Sequence, residues 1–347
     1  MNYLICQDWT NTSNNHAGIK YLCNQLQTMY PSSYTSITIP DFTYTNSKYR
    51  IVTSIIFRIG QLRHKLYRHK LCHKLIKNLQ TGDKIFLMEY MEKSMPMLDF
   101  AQQIKFYKPQ IAIYGLVHLV PNRLTNNFPK NKQLYKWTTA VDKILTLGHS
   151  LTNYFISRGV DKRKIYTTFH YVDKYYCNKV PLQCHNDKVK VIAMGNQMRN
   201  ISLLKKIVTD NPDVNFTICQ GLYDMSSAFK DKKNVTLIPF VEENELRNKM
   251  AEADISLNVM ADTIGSNVIV TSLAMGLAMI CSDVGSIRDY CDETNTIFCN
   301  NNNITQFTNA ISTISRDKKK LISMRYAAIA KSKLFTIERF EQELREL

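Results

Sequence analysis

The sequence predicts an α/β protein built from two doubly wound, Rossmann-like halves, and three observations carry that reading. Its 347 residues exceed one ordinary core and suit two domains of about 150–200 residues each. Short apolar runs alternate with helical patterns along the whole chain, the mark of βαβ units and parallel sheets. The polar, proline-containing segment NKVPLQCHND (178–187) interrupts this alternation midway and reads as an interdomain linker.

In the first half, strands are expected at Tyr3–Cys6, Ser36–Pro40, Lys84–Glu89, Ile111–Val120, Val141–Leu147 and Ile165–His170. The loop DWTNTSNNHAG, rich in turn formers, separates the first strand from a helix over Ile19–Tyr30. Ile51–Gln80 predicts a long helical stretch broken once, and Leu151–Arg158 a further helix. In the second half, strands are expected at Val189–Met194, Asn215–Cys219, Val235–Pro239, Ile255–Asn258, Ala278–Ser282 and Thr296–Cys299. Helices are expected at Ser202–Thr209, Glu243–Ala253, Val268–Ala274, Ile304–Ile314, Lys318–Lys331 and Ile337–Leu347. Ligands of such sheets bind beyond the carboxyl ends of the strands.

Composition excludes several classes. With 44% hydrophobic and 21% charged residues the chain is not disordered. Its N-terminus lacks the basic and long apolar regions of a signal peptide, and no apolar run reaches the roughly 18–20 residues of a membrane span. None of its nine cysteines forms a Cys-x-x-Cys pair, so neither a zinc ribbon nor a redox motif is signalled. Buried, reduced thiols of a cytoplasmic protein are the expectation. The net charge of +16 lies entirely in residues 1–180, which points to an anionic surface or polymer facing that half.

The most informative stretch is DTIGSNVIVTSLAMGLAMICSDVGSIRDY (262–290). A glycine-containing turn opens a helix there, and free N–H groups with a positive dipole end suit a diphosphate. Gly265 lets the backbone come close; Ser266 and Asn267 can cap the helix that Val268 begins. Gly276 stops that helix before a buried strand and the DVGSIRD turn.

This stretch resembles the C-terminal signature of retaining glycosyltransferases of the GT-B fold, family 4 type, as found in bacterial polysaccharide, O-antigen and capsule synthesis. That pattern is an acid followed by Gly-Phe-Gly, a second Glu near Ala-x-x-x-Gly, a buried strand and a Gly-Gly turn. Asp262-Thr263-Ile264-Gly265, then Thr271-Ser272-Leu273-Ala274-Met275-Gly276, then Asp283 to Asp289 occupy its three parts. Asp262 replaces the first Glu, the spacing is one residue longer, and Thr271 replaces the ribose-gripping Glu, with a weaker hydrogen bond.

Other segments agree in order. KVIAMGNQMRNISLLKKI resembles the first strand, loop and helix of the nucleotide-binding domain. Gly195 matches its glycine, Asn196 stands at the family's Arg, and Arg199 stands near its Lys, with Lys205 in reserve or simply on a solvated face. Phe240 and Val241 match residues beside the nucleotide base, although core packing is the alternative for Phe240. In the first half, NNHAGIKYL resembles the glycine-rich loop after strand one. His16 and Gly18 fall at acceptor contacts there, and His118 matches a cleft-facing His at the end of strand four. His170-Tyr171-Val172-Asp173 stands in place of Asn-Gly-Val-Asp.

The resemblance implies two domains facing across a cleft: an acceptor domain over 1–180, a donor domain over 181–333, and a C-terminal helix over 334–347 returning to the first. It implies sugar transfer from a nucleotide diphosphate donor, a UDP-sugar before a GDP-sugar, with His118, Asp262 and Arg199 as the catalytic residues. The donor set is Gly195, Asn196, Arg199, Lys205, Phe240, Val241, Asp262, Ile264 to Val268 and Thr271. No cofactor and no metal are expected, since no Asp-x-Asp motif occurs.

Residues 51–80 form a separate feature. Val52, Ile55, Ile59, Leu62 and Leu66 follow a 3–4 spacing, Lys and Arg fill much of the rest, and no acid occurs between Asp41 and Asp83. Such a helix can lie on an anionic membrane and bring the enzyme to a lipid-linked glycan at the inner face of the cell membrane; a core-facing helix with a solvated face is the alternative. His69 and His73 are four apart, but no third metal ligand is evident beyond Cys72. Two further functions remain open: a sugar-nucleotide epimerase of the same fold, and a noncatalytic basic RNA-binding protein, for which no signature is present.

Overall fold

The structure is a computed structural model and describes residues 1–9, 16–40, 50–92, 97–177, 188–195, 197–221 and 223–347. The linker segment 178–187 and Asn196 lie outside the described residues. The chain divides into two compact units, Met1–Leu147 with Thr152–Thr168, and Gly148–Leu151 with Phe169–Leu347.

In chain order the first elements are β1 (Asn2–Asp8), α1 (Ile19–Met29), β2 (Tyr34–Pro40), α2 (Arg50–Asn78), β3 (Lys84–Tyr90) and α3 (Met97–Tyr107). They continue as β4 (Ala112–Val117), α4 (Pro121–Asn127), α5 (Asn131–Thr138), β5 (Lys143–Thr146), α6 (His149–Ser157) and β6 (Ile165–Thr167). These strands form a parallel sheet in the order β2-β1-β3-β4-β5-β6. Leu4, Ile5, Ile85, Phe86, Leu87 and Ile113 are fully buried in it, as expected where helices cover both faces.

The helix over 51–80 is continuous rather than broken. Gly60 is the residue that could have interrupted it; an interior glycine costs about 1 kcal/mol, whereas a sharp break needs a proline or an inserted group. Only the end of α2 enters the core, through Cys72, Leu75 and Ile76. Val52, Ile55, Ile59, Leu62 and Leu66, the stripe a core-facing helix would bury, are all exposed, Leu62 by 59%.

The second unit continues with β7 (Lys190–Ala193), α7 (Ile201–Asp210), β8 (Asn215–Gly221), α8 (Ser226–Phe229), β9 (Val235–Pro239), α9 (Glu243–Ala251) and β10 (Ile255–Asn258). Then follow α10 (Asn267–Ala274), β11 (Ala278–Ser282), α11 (Ile287–Tyr290), β12 (Thr296–Cys299), α12 (Ile304–Arg316), α13 (Lys318–Ser332) and α14 (Ile337–Glu346). The second parallel sheet runs β12-β11-β10-β7-β8-β9. Its strand β11, AMICS, lies between β12 and β10 and is buried at every residue, which is why a continuous apolar run replaces the alternation of a half-exposed strand. The final helix packs Phe340 against Phe169 (5.9 Å between ring centroids), and Val172 N–H donates to Phe335 O at 2.7 Å.

A buried ion pair fastens α13 beneath this sheet. Arg325 Nη1 lies 3.1 Å from Asp254 Oδ1, and Arg325 Nε donates to Gly276 O at 2.8 Å. The other carboxylate oxygen of Asp254 accepts Lys190 N–H at 3.0 Å, so one side chain ties the starts of β7 and β10. Among the described residues no helix is long and apolar enough to cross a membrane. Asp254→Ala leaves the Arg325 charge buried without its partner and is expected to lower stability by about 3–5 kcal/mol. Urea unfolding measures this; a loss under about 1 kcal/mol would refute the pair's role.

Candidate functional site

In the second sheet β7 and β10 are neighbours, and the strand order reverses between them. Open α/β sheets bind ligands beyond the strand ends at such a switch point. The two exits are tied together. Asn200 N–H donates to Val259 O (2.9 Å), Ala261 N–H to Met198 O (2.8 Å), and Arg199 bridges antiparallel to Met260. Gly195 (φ +78°) passes so close to the start of α10 that a Cβ would lie 2.8 Å from Val268 Cγ2.

The loop 262–266 is shaped from below. Gly265 holds φ +101°, and a Cβ there would meet the Tyr290 hydroxyl at 2.2 Å. Tyr290 is fully buried, accepts His170 N–H at 2.8 Å and packs on Phe335 (5.1 Å between ring centroids). Gly285 comes equally close, because a Cβ there would lie 2.1 Å from Thr263 O. Ser286 N–H donates to that same oxygen at 2.7 Å, and Gly265 N–H donates to Thr263 Oγ1 at 3.2 Å. The Ser286 hydroxyl in turn accepts Ser150 N–H (2.9 Å), while both carboxylate oxygens of Asp289 engage His149 (2.6 and 2.9 Å).

Above this support, the amides of Asn267 and Val268 at the start of α10 have no hydrogen-bond partner among the described residues. Ser266 caps the helix: Ile269 N–H donates to its hydroxyl at 3.4 Å and to its carbonyl oxygen at 3.1 Å, and Val270 N–H donates to that carbonyl at 3.2 Å. The amides of Asn267 and Val268 precede those bonds and lie at the positive end of the helix. Asn267 Oδ1 is buried without a hydrogen-bond partner. Asp262 is half-buried; desolvation raises its pKa, opposed by Thr263 N–H donating to Oδ1 at 2.8 Å.

Arg199 supplies a positive charge at the same strand ends. Its Nη1 donates to Cys219 O at 3.2 Å, where β8 finishes, and its Nη2 is buried without a partner. Burial lowers its pKa to about 10, so it stays charged at neutral pH. A partly desolvated cation with no carboxylate partner among the described residues is costly, and an arriving anion relieves that cost.

The structure therefore brings Gly195, Arg199, Asp262, Ile264, Gly265, Ser266, Asn267 and Val268 to one edge of the second sheet. Thr271 lies a turn further along, buried, with its hydroxyl donating to Asn267 O at 2.6 Å. Lys205 is on the exposed face of α7, and Phe240, 51% exposed, follows the edge strand β9 together with Val241. In the first unit, His16 packs on the Tyr21 ring (4.7 Å between centroids), Gly18 caps α1, and His118 is half-buried directly after β4. Glu89, at the end of β3, accepts Gln7 N–H at 2.8 Å and the Trp9 indole N–H, holding the exit of β1 beside the loop that carries His16 and Gly18. His69 and His73 stack (5.4 Å between centroids), and among the described residues no group of three or more potential ligands could hold a metal.

Sequence reasoning did not assign Tyr290, His170 or Glu89 any part in the site. Tyr290 stands inside the quoted signature, but its role depends on a ring passing under Gly265, a contact that no spacing rule contains. Burial lowers the pKa of His170 to about 4 from 6.5, the Tyr171 carbonyl partly opposing this. Protonation therefore favours the unfolded chain: the stability held above pH 6.5 is lost as pH falls towards 4. His170→Gln is expected to remove that part of the slope in unfolding free energy against pH, and an unchanged slope would contradict the assignment.

Residues 183–317 match the family model described as glycosyl transferases group 1. Among solved structures, the chain is similar to HepE of Anabaena in complex with UDP and glucose, at 13% identity and TM-score 0.71, covering 99% of this chain and 98% of that one. It is similar to the lipopolysaccharide outer core galactosyltransferase WaaB in its apo form, at 11% identity and TM-score 0.71, covering 100% and 99%. Sucrose-phosphate synthase of Thermosynechococcus elongatus matches at 12% identity and TM-score 0.73, also covering 100% and 99%. No curated protein matches the chain by sequence. The chain thus has the GT-B fold, and its residues 183–317 match a glycosyltransferase domain model, glycosyl transferases group 1.

Proposed function

We propose that this protein transfers a sugar from a UDP-sugar to a hydroxyl of a lipid-linked glycan, with retention of anomeric configuration, in surface polysaccharide synthesis at the inner face of the cell membrane. The observation that carries the reading is the pairing of the uncapped amides at Asn267 and Val268 with a buried, unpartnered guanidinium nitrogen at Arg199. In the transfer, the bond from the sugar's anomeric carbon to the diphosphate oxygen breaks, and the electron pair leaves with the diphosphate. The acceptor oxygen bonds to that carbon and passes its proton to the departing diphosphate oxygen. Arg199 and the α10 amides hold the charge that develops on the leaving group. Asp262 binds hydroxyls of the transferred sugar, and His118 orients the acceptor. Gly195, Ile264, Gly265 and Ser266 line the donor, Thr271 takes the ribose side, Phe240 and Val241 flank the base, and His16 and Gly18 contact the acceptor. No metal takes part in this scheme. Uridine is favoured because HepE was solved with UDP.

The exposed stripe of α2 supports membrane docking. Eight Lys and Arg residues and no acid accompany it within Arg50–Asn78. Each cation near an anionic bilayer adds about 1 kcal/mol, and the apolar residues enter the interface.

UDP should raise the unfolding temperature more than GDP does. Arg199→Ala and His118→Ala should each cut transfer about 100- to 1,000-fold without changing the unfolding temperature of the free protein. Near-normal turnover in both variants would overturn the site assignment.

A further inference from the structure

Beside α2 the first unit holds a groove of about 360 Å³, within the range of small-molecule pockets. Its walls are apolar: Leu62 and Leu66 from α2, Met97 and Phe100 from α3. Lys65 and Arg68 line it beside those walls, and Asp99 offsets only one of the two charges. Gln103 adds an amide whose oxygen is buried without a hydrogen-bond partner; an amide offers either edge to a ligand, since its O and N exchange places by a flip. Leu62 and Leu66 also belong to the exposed stripe of α2, so the groove opens from the face that carries the helix's apolar residues.

We infer that this groove holds the hydrocarbon chain and phosphate of a single membrane lipid phosphate. An apolar slot beside net positive charge is complementary to an amphiphile with an anionic head and to neither half of it alone. A bare phosphate would forfeit the apolar walls. A neutral amphiphile would leave Lys65 and the Gln103 amide without a partner. As the anchor of the acceptor's lipid, the groove rests on the transfer reading above; as a lipid-phosphate site it stands by itself.

Calorimetric titration of the full chain tests it with decyl phosphate, decyl maltoside and inorganic phosphate as probes. Decyl phosphate should bind about tenfold more tightly than decyl maltoside, and inorganic phosphate should not displace it. Leu66 is more than half exposed, so Leu66→Trp fills the groove without entering the core. That variant should lose decyl phosphate while still being stabilised by UDP. Arg68→Gln should bring the two detergents to similar affinity. Equal binding of both detergents by the unmodified protein, or full decyl phosphate binding by Leu66→Trp, would overturn the inference. Loss of UDP stabilisation with the lipid response intact would instead overturn the transfer reading.

Discussion

The ring of Tyr290 fills the space that a side chain at position 265 would occupy, and the shape of the donor loop follows from that contact. With glycine at 265 the backbone takes φ +101°, a conformation side-chain-bearing residues rarely adopt, and the chain turns directly into the first turn of α10. Gly285 repeats the arrangement from the other side, under Thr263. Two glycines and one buried tyrosine thus aim a helix start outward. Tyr290 is itself held, by His170 N–H at its hydroxyl and by Phe335 at its ring. The backbone at 170 is therefore coupled to the loop: His170 N–H donates to the Tyr290 hydroxyl that lies under Gly265.

Electrostatics at the site run in one direction. The helix start and Arg199 are positive, and Asp262 is the carboxylate among the assigned donor residues. Desolvation raises the pKa of Asp262 and lowers that of Arg199, the expected result of moving either charge away from water. A dianionic diphosphate suits such a place better than a cation does.

Most of the architecture was legible in the sequence because both halves obey strong periodic rules. Each of the expected strands appears within a few residues, and even the break between β9 and α9 at Glu243 was readable from its acidic first turn. The helices over 97–107, 121–127 and 131–138 were not anticipated; the last two are short, whereas Met97, Leu98, Phe100, Ala101 and Ile104 give the first a helical spacing that the sequence does show. The single break expected within 51–80 is absent: α2 is continuous, and it sustains Gly60 in its interior at small cost. Within the site, glycines and caps could be read from residue type. Tyr290 under Gly265 and Glu89 at the exit of β1 could not, because each is a tertiary contact between residues whose identities have other uses; the Thr271 hydroxyl instead bonds back into its own helix.

The first unit adds a different kind of information. Its excess charge is concentrated on a helix whose apolar stripe stays in solvent, so composition and burial point to the same face. A stripe spaced to be buried, then left uncovered, separates the two meanings that periodicity alone leaves equal.

The central claim is that the loop over 262–268 and the exit of β7 receive the nucleotide diphosphate. Hydrogen–deuterium exchange of the full chain with and without UDP tests it most directly. The account predicts slowed exchange confined to segments covering 195–200 and 262–271. Unchanged exchange in both segments under saturating UDP, or protection elsewhere in the chain alone, would contradict it.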